Sequence, residues 1–330
     1  MPAPHRGDAN KPITNQGKAN AIGRQESATQ ATKINQTTNL KNTTMKHNPY
    51  RPAAIAALLS AIALTATAQP TAEGKQTDTY IQMGKIQNTR DLAGLTTPDG
   101  QQIQPGRLYR SGNPAFATPT DIEKLKAMHL DVVLDFRAAS EKKPAEQAFA
   151  SQFPWQADPV LAGNLSPEAI IPMLKRSTPA QMHQFMVSLY RQFPSDYQPQ
   201  FGRFLKLAEE DKTILYHCTA GKDRTGFATV LLLSALGVDR ATVIANYLES
   251  NRYNATGNAQ ATAQLQKIGI APDVLAPLQA VDPDYIGAAM EVIDQQYGGM
   301  QHYLVDVLHV NTAKIRQNYL EATPSVTANP

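Results

Sequence analysis

One stretch limits what this chain can become. From Thr213 to Leu236 a short apolar run rich in β-formers, Thr213-Ile214-Leu215-Tyr216, is joined to a long apolar one, Phe227 to Leu236, by the decapeptide His217-Cys218-Thr219-Ala220-Gly221-Lys222-Asp223-Arg224-Thr225-Gly226. Length and pattern predict a buried strand, a tight turn and a buried helix that stops at Gly237. Such a unit belongs to α/β architectures, whose ligands bind beyond the carboxyl ends of the strands.

The turn carries its own chemistry. Backbone N–H groups converge where a strand hands over to a helix, and the helix dipole adds positive potential, so an anion is favoured there. The thiolate of Cys218, the only cysteine among 330 residues, is the first such anion. A phosphate group is the second. Arg224 lies six positions after Cys218, where a planar guanidinium can take two phosphate oxygens at once. Gly221 and Gly226 permit close approach, Thr219, Ala220 and Lys222 complete the cradle, and Thr225 is expected to hydrogen-bond the sulfur. A lone buried cysteine is more often inert; here each position of the decapeptide suits one cradle.

Composition narrows the partners. The formal charge of +3 misleads, because residues 1–68 hold eight Lys/Arg against two Asp/Glu and the remainder is therefore net −3. Nothing in the folded part asks for nucleic acid. Residues 1–44, rich in Asn, Gln, Thr and Lys, are expected to be disordered and to lie upstream of a true start at Met45. Met45-Lys46-His47 and Arg51, the apolar run Ala53 to Leu64 and Ala66-Thr67-Ala68 have the anatomy of a secretory signal over 45–68, too short for a membrane anchor. Export to the periplasm or medium is the expectation, with a linker over 69–79, one domain over 80–322 and a disordered tail over 323–330. A single cysteine forms no internal disulfide, so the thiol stays free.

Along the domain, Pro98-Asp99-Gly100 predicts a turn between short strands. Thr118-Pro119 and Asp121 predict a capped helix to Met128, and Asp131 to Phe136 a second buried strand that brings Asp135 to the same side as Cys218. A loop with a short helix near Pro167 to Lys175 follows. Met182, Phe185, Met186, Leu189, Tyr190 and Phe193 form an apolar stripe read as core. The remainder after Gly237 is mainly helical, with Asp282-Pro283 and Asn311 as helix starts. The histidines lack ligand spacing, so no metal and no cofactor is expected.

His-Cys-Thr-Ala-Gly-Lys-Asp-Arg-Thr-Gly resembles the signature loop of the cysteine-dependent protein tyrosine phosphatases. Its Lys-Asp pair resembles that of a secreted bacterial branch of broad specificity for phosphotyrosine, phosphoserine or phosphothreonine, and phosphoinositides. Asn88-Thr89-Arg90-Asp91-Leu92-Ala93-Gly94, Gly106 to Gly112, the strand ending Asp135-Phe136-Arg137, Tyr190 to Pro194 and Asn246 to Asn251 resemble further motifs of that branch, with Thr89 and Ala93 as departures. The likeness extends from about Tyr80 to Glu321. It implies a mostly parallel central sheet flanked by helices, a helical C-terminal half, Cys218 as nucleophile, Arg224 on phosphate, and His217 orienting the loop. The proton donor is left between Asp223, inside the loop, and Asp135; Asp158 is a remoter choice. Three alternatives stay open: a phosphoinositide or inositol phosphate as substrate, favoured by Lys222; another thiolate enzyme, such as a sulfurtransferase or an arsenate reductase, the latter disfavoured by the missing second thiol; and a non-catalytic phosphate-binding module.

Overall fold

The computed structural model describes residues 79–160 and 167–322. The extension over 1–44, the signal over 45–68, the linker up to residue 78 and the tail over 323–330 lie outside the described residues.

Strands β1 (Arg90–Asp91), β2 (Gln101–Ile103) and β3 (Leu108–Ser111) lead into α1 (Pro119–Ala127), β4 (Val132–Asp135), α2 (Gln147–Ala150) and β5 (Trp155–Ala157). Helices α3 (Pro167–Leu174), α4 (Pro179–Asp196) and α5 (Gln198–Glu209) precede β6 (Ile214–His217) and α6 (Arg224–Leu236). The helical C-terminal half contains α7 (Arg240–Leu248), α8 (Ser250–Gln266), α9 (Pro272–Gln279), α10 (Pro283–Gln296), α11 (Met300–His302) and α12 (Thr312–Tyr319), and β7 (Leu320–Ala322) follows.

The sheet runs β1-β3-β6-β4-β5, antiparallel at β1–β3 and parallel elsewhere. Its order places β6 at the centre, and the register sets Ser111 and Asp135 opposite His217. Three strand ends therefore meet at one point. β6 is buried along its whole length. Ile214 and Tyr216 pack into the large core with Phe204, Phe227 and Leu231, whereas Leu215 packs with Leu125 and Phe149 on the other face. Cover on both faces explains why this strand is apolar from Ile214 to Tyr216.

Local signals fix the ends of the helices. Thr118 Oγ1 accepts from the Asp121 N–H while the Asp121 carboxylate accepts from the Thr118 N–H, a reciprocal cap at α1. Thr178 and Gln181 repeat it at α4. Gly237 ends α6 at φ 84°, a left-handed conformation that favours glycine. Two features were not readable beforehand. The Pro98-Asp99-Gly100 turn leads into β2, which pairs with β7 at the far end of the chain, and Trp155–Ala157 joins the sheet as its edge strand on β4. No described helix is long and apolar enough to cross a membrane.

Candidate active site

Cys218 is the first residue beyond β6, 2% exposed, and its thiol is free. The chain then turns through Thr219 to Asp223 and enters α6 at Arg224. What shapes this loop is the fixing of its carbonyls from outside. The Asn113 N–H donates to Thr219 O at 2.9 Å. Asn88 and Asn254 donate to Ala220 O at 3.2 and 3.1 Å, and Asn88 and Arg110 donate to Gly221 O at 2.8 and 2.7 Å. A trans peptide sets each C=O opposite the next N–H. With these carbonyls turned outward, the N–H groups of Ala220, Gly221 and Lys222 turn inward, the arrangement of an anion nest. His217 does the same one residue earlier: its Nδ1 lies 3.0 Å from Cys218 O.

Gly221 cannot be another residue here. Its φ is +64°, and a Cβ would stand 2.4 Å from Ser111 O. Gly226 has a different reason, not the one inferred from the sequence: a Cβ there would meet the Tyr247 ring at 3.0 Å, so the glycine makes room for a tyrosine rather than for a ligand.

Positive charge gathers around the cradle. Arg224, 2% exposed, donates from Nη1 and Nη2 to the Glu141 carboxylate at 2.6 and 2.8 Å. Glu141 also accepts from the Ala138 N–H at 2.9 Å and from Thr219 Oγ1 at 3.0 Å. Burial alone would neutralise both partners. Their attraction overrides it, holding Arg224 charged with its pKa raised and Glu141 ionised with its pKa lowered. Arg110 is wholly buried and forms no ion pair among the described residues; it bonds Gly221 O, Ser250 Oγ and Asn246 Oδ1. Burial lowers its pKa, while the neighbouring Cys218 sulfur favours its charged form. Arg90 bonds Asn246 O and Ser250 Oγ beside it. Arg107 instead reaches Asp211 at the surface.

The sequence-derived proton donors separate. Asp223, at the N-cap of α6, makes no capping bond with its side chain. Its Oδ1 accepts from Tyr190 Oη and from Lys222 Nζ, both at 2.9 Å, and the side chain is 21% exposed. Asp135 is not poised to give a proton. It is fully buried, takes Arg137 on both oxygens at 3.0 Å, and lies 3.1 Å from Lys142 Nζ. Burial would raise its pKa, yet His217 and Arg137 hold it well below the usual carboxylate range. Asp158 is likewise occupied, by Arg203 at 2.6 and 2.9 Å.

Other expectations are adjusted in the same way. Thr225 Oγ1 is enclosed without a hydrogen-bond partner, so the expected bond to the Cys218 sulfur is absent; in the first turn of α6 its side chain is buried with the core. Lys222 Nζ is committed to Asp223 and lies 3.5 Å from Ala280 O. His217 is buried against the Trp155 ring, 5.0 Å between centroids, and burial pushes its pKa down to about 4, so the ring is neutral. His183, which sequence spacing isolates from other ligands, stands with Asp282 and Asp284 in a group whose ligand atoms lie within 4.8 Å of one another.

Glu141 and Asn254 were not singled out from sequence; Asn88 and Tyr247 lie inside motifs recognised by resemblance, but their contacts with the loop and with Tyr190 were not foreseen. The left-handed φ of Asn88, +55°, is likewise invisible in the sequence.

A buried cysteine at a strand end, an inward-facing amide nest and an arginine from the next helix define the class of site: an anion cradle built around a thiol. Residues 81–321 match the model of the tyrosine phosphatase family, and this chain belongs to that family. A Cupriavidus necator protein named as an inferred tyrosine-protein phosphatase is 46% identical over 265 residues, 80% of this chain and 97% of that one. The triple specificity protein phosphatase PtpB of Mycobacterium tuberculosis is 28% identical over 253 residues, covering 66% and 90%. A tyrosine-protein phosphatase of Nostoc commune is 28% identical over 213 residues, covering 61% and 69%.

Proposed function

We propose that this chain hydrolyses phosphate monoesters in two steps through a cysteinyl-phosphate on Cys218, with phosphotyrosine in proteins as the leading substrate and phosphoserine or phosphothreonine also accepted. The observation that carries the proposal is the outward fixing of the carbonyls of Thr219, Ala220 and Gly221 around a buried thiol. The Cys218 thiolate attacks phosphorus, the P–S bond forms as the P–O ester bond breaks, and Asp223 gives its proton to the departing oxygen. Water then attacks phosphorus, Asp223 takes a proton from it, and the P–S electron pair returns to sulfur. Throughout, the amides and Arg224 hold the equatorial oxygens where charge develops.

Hydrolysis of phosphoinositides is a second reading, favoured by Lys85 and Lys222, which line the cleft beside Thr219 and Ala220. Rates on a phosphotyrosine peptide and on phosphoinositide vesicles, measured side by side with Cys218→Ser as control, test both. Activity retained by Cys218→Ser overturns the mechanism. Asp223→Asn should slow an alkyl phosphate far more than an activated aryl phosphate; if Asp135→Asn does so instead, the donor is reassigned. We also propose that the chain is exported and that its mature form begins near Gln69, because residues 45–68 have the composition of a secretory signal. Finding residues before Met45 in protein recovered outside the cytoplasm rejects this.

A further inference from the structure

The apolar stripe of α4 contains one hydroxyl that packing does not explain. Tyr190 is fully buried, its ring 5.0 Å from Phe193 and 5.7 Å from Tyr285 between centroids. A phenylalanine would fill that space. Its Oη instead sits in a directed chain: Tyr247 Oη donates to Tyr190 Oη at 2.8 Å, and Tyr190 Oη donates to Asp223 Oδ1 at 2.9 Å. Lys222 Nζ reaches the same oxygen. The geometry points to Tyr190 as the positioning residue that orients Asp223, with Tyr247 behind it, so that the proton Asp223 exchanges with the leaving group is carried on Oδ2.

Valence and hydrogen-bond direction decide which carboxylate oxygen is free for the proton. An oxygen that already accepts two hydrogen bonds, one of them from an ammonium, is the wrong place for a proton. Oδ2 has no protein partner among the described residues, and Asp223 is the partly exposed member of the chain. Tyr190 has a single hydroxyl hydrogen, and accepting from Tyr247 commits that hydrogen to Asp223. Burial and the nearby Asp223 charge keep both phenols protonated far above working pH, so the donors are never lost. Three distant segments are needed for the chain to exist: α4 supplies Tyr190, α7 supplies Tyr247, and Gly226 leaves the room in which the Tyr247 ring lies.

The inference rests on Asp223 as proton donor, and the test separates the two. In the full chain, Tyr190→Phe removes one oxygen and keeps the ring. It should slow hydrolysis of a phosphoserine peptide about 10- to 100-fold while slowing p-nitrophenyl phosphate far less, since a good leaving group needs little protonation. The carboxylate loses a donor, so the alkaline limb of the pH–rate profile should move to higher pH. Combined with Asp223→Asn, Tyr190→Phe should add no further loss on the alkyl substrate. Tyr247→Phe should show the same pattern more weakly and serves if Tyr190→Phe folds poorly by thermal melting. Equal slowing of both substrates with an unmoved limb, or full additivity in the double variant, overturns the positioning role. Absence of leaving-group dependence in Asp223→Asn itself, in an enzyme that Cys218→Ser abolishes, removes the donor assignment and with it this inference.

Discussion

Gly221→Ala tests whether the loop is as tightly seated as its hydrogen bonds imply. Two costs apply. A non-glycine residue at φ +64° loses about 1 to 2 kcal/mol. The new methyl would also lie 2.4 Å from Ser111 O and 2.6 Å from the Gly112 N, and both are backbone atoms of the β3 end that cannot swing aside. Overpacking of this kind costs roughly 1 to 3 kcal/mol, so the total is about 2 to 5 kcal/mol. Gly94→Ala is the control: φ is +76°, and nothing lies within 4 Å of its Cβ, so only the conformational cost remains. For a domain of this size each kcal/mol moves Tm by roughly 2–4 °C. Melting curves should therefore separate the two variants by several degrees. If the loop relieves the clash by moving, the loss appears in catalysis instead, at about 100-fold for a displacement near 1 Å. A Gly221→Ala enzyme that melts with Gly94→Ala and keeps kcat/KM within about threefold of the parent refutes the reasoning, whichever route was expected.

Three further outcomes are expected. Glu141→Gln leaves the buried Arg224 without its carboxylate, so stability should fall by roughly 3 kcal/mol and turnover with it; unchanged melting and kinetics would show that Glu141 is dispensable. Arg110→Met removes a buried cation that bonds the loop and has no carboxylate partner among the described residues, so inhibition by orthophosphate should weaken about tenfold, with partial recovery in Arg110→Lys, and an unchanged inhibition constant refutes the role. His217, ordinarily near 6.5 and pushed down to about 4, binds a proton more readily when unfolded. Stability should thus fall as pH drops from about 6.5 to 4, by about 3 kcal/mol in all, and His217→Asn should flatten that slope in denaturant titrations.

The cradle was legible because its parts are contiguous. Strand, turn, arginine and helix occupy 24 residues, and local pattern plus anion chemistry suffices to assemble them. Its support was legible only in part, for the opposite reason: Asn88 and Arg110 fall inside motifs recognised by resemblance, with nothing local to say that they hold the loop, whereas Glu141 and Asn254 reach it from other segments, and a buried Asn or Glu has no signature that a surface one lacks. Asp135 shows the limit most clearly. Strand periodicity placed it at the correct end of the sheet, but which way its carboxylate leans is decided by Arg137 two residues on and by Lys142 in the next turn. The stripe of α4 was read correctly as core, yet a pattern of apolar positions cannot distinguish a ring that only packs from one whose hydroxyl is engaged.

The pairing of β2 with β7 has a consequence in time. Gln101–Ile103 wait for Leu320–Ala322, and Gln102 is joined to Glu321 by a side-chain bond across 219 positions as well as by the ladder. Contacts of such sequence separation form late, because the loop they close must first be ordered. A chain emerging from the ribosome, amino end first, can build α1 and the sheet edge early but cannot complete this clasp until residue 322 has cleared. Until then the β2 backbone stays unpaired on that side, a period of exposure to proteases and to foreign strands that the finished molecule no longer shows.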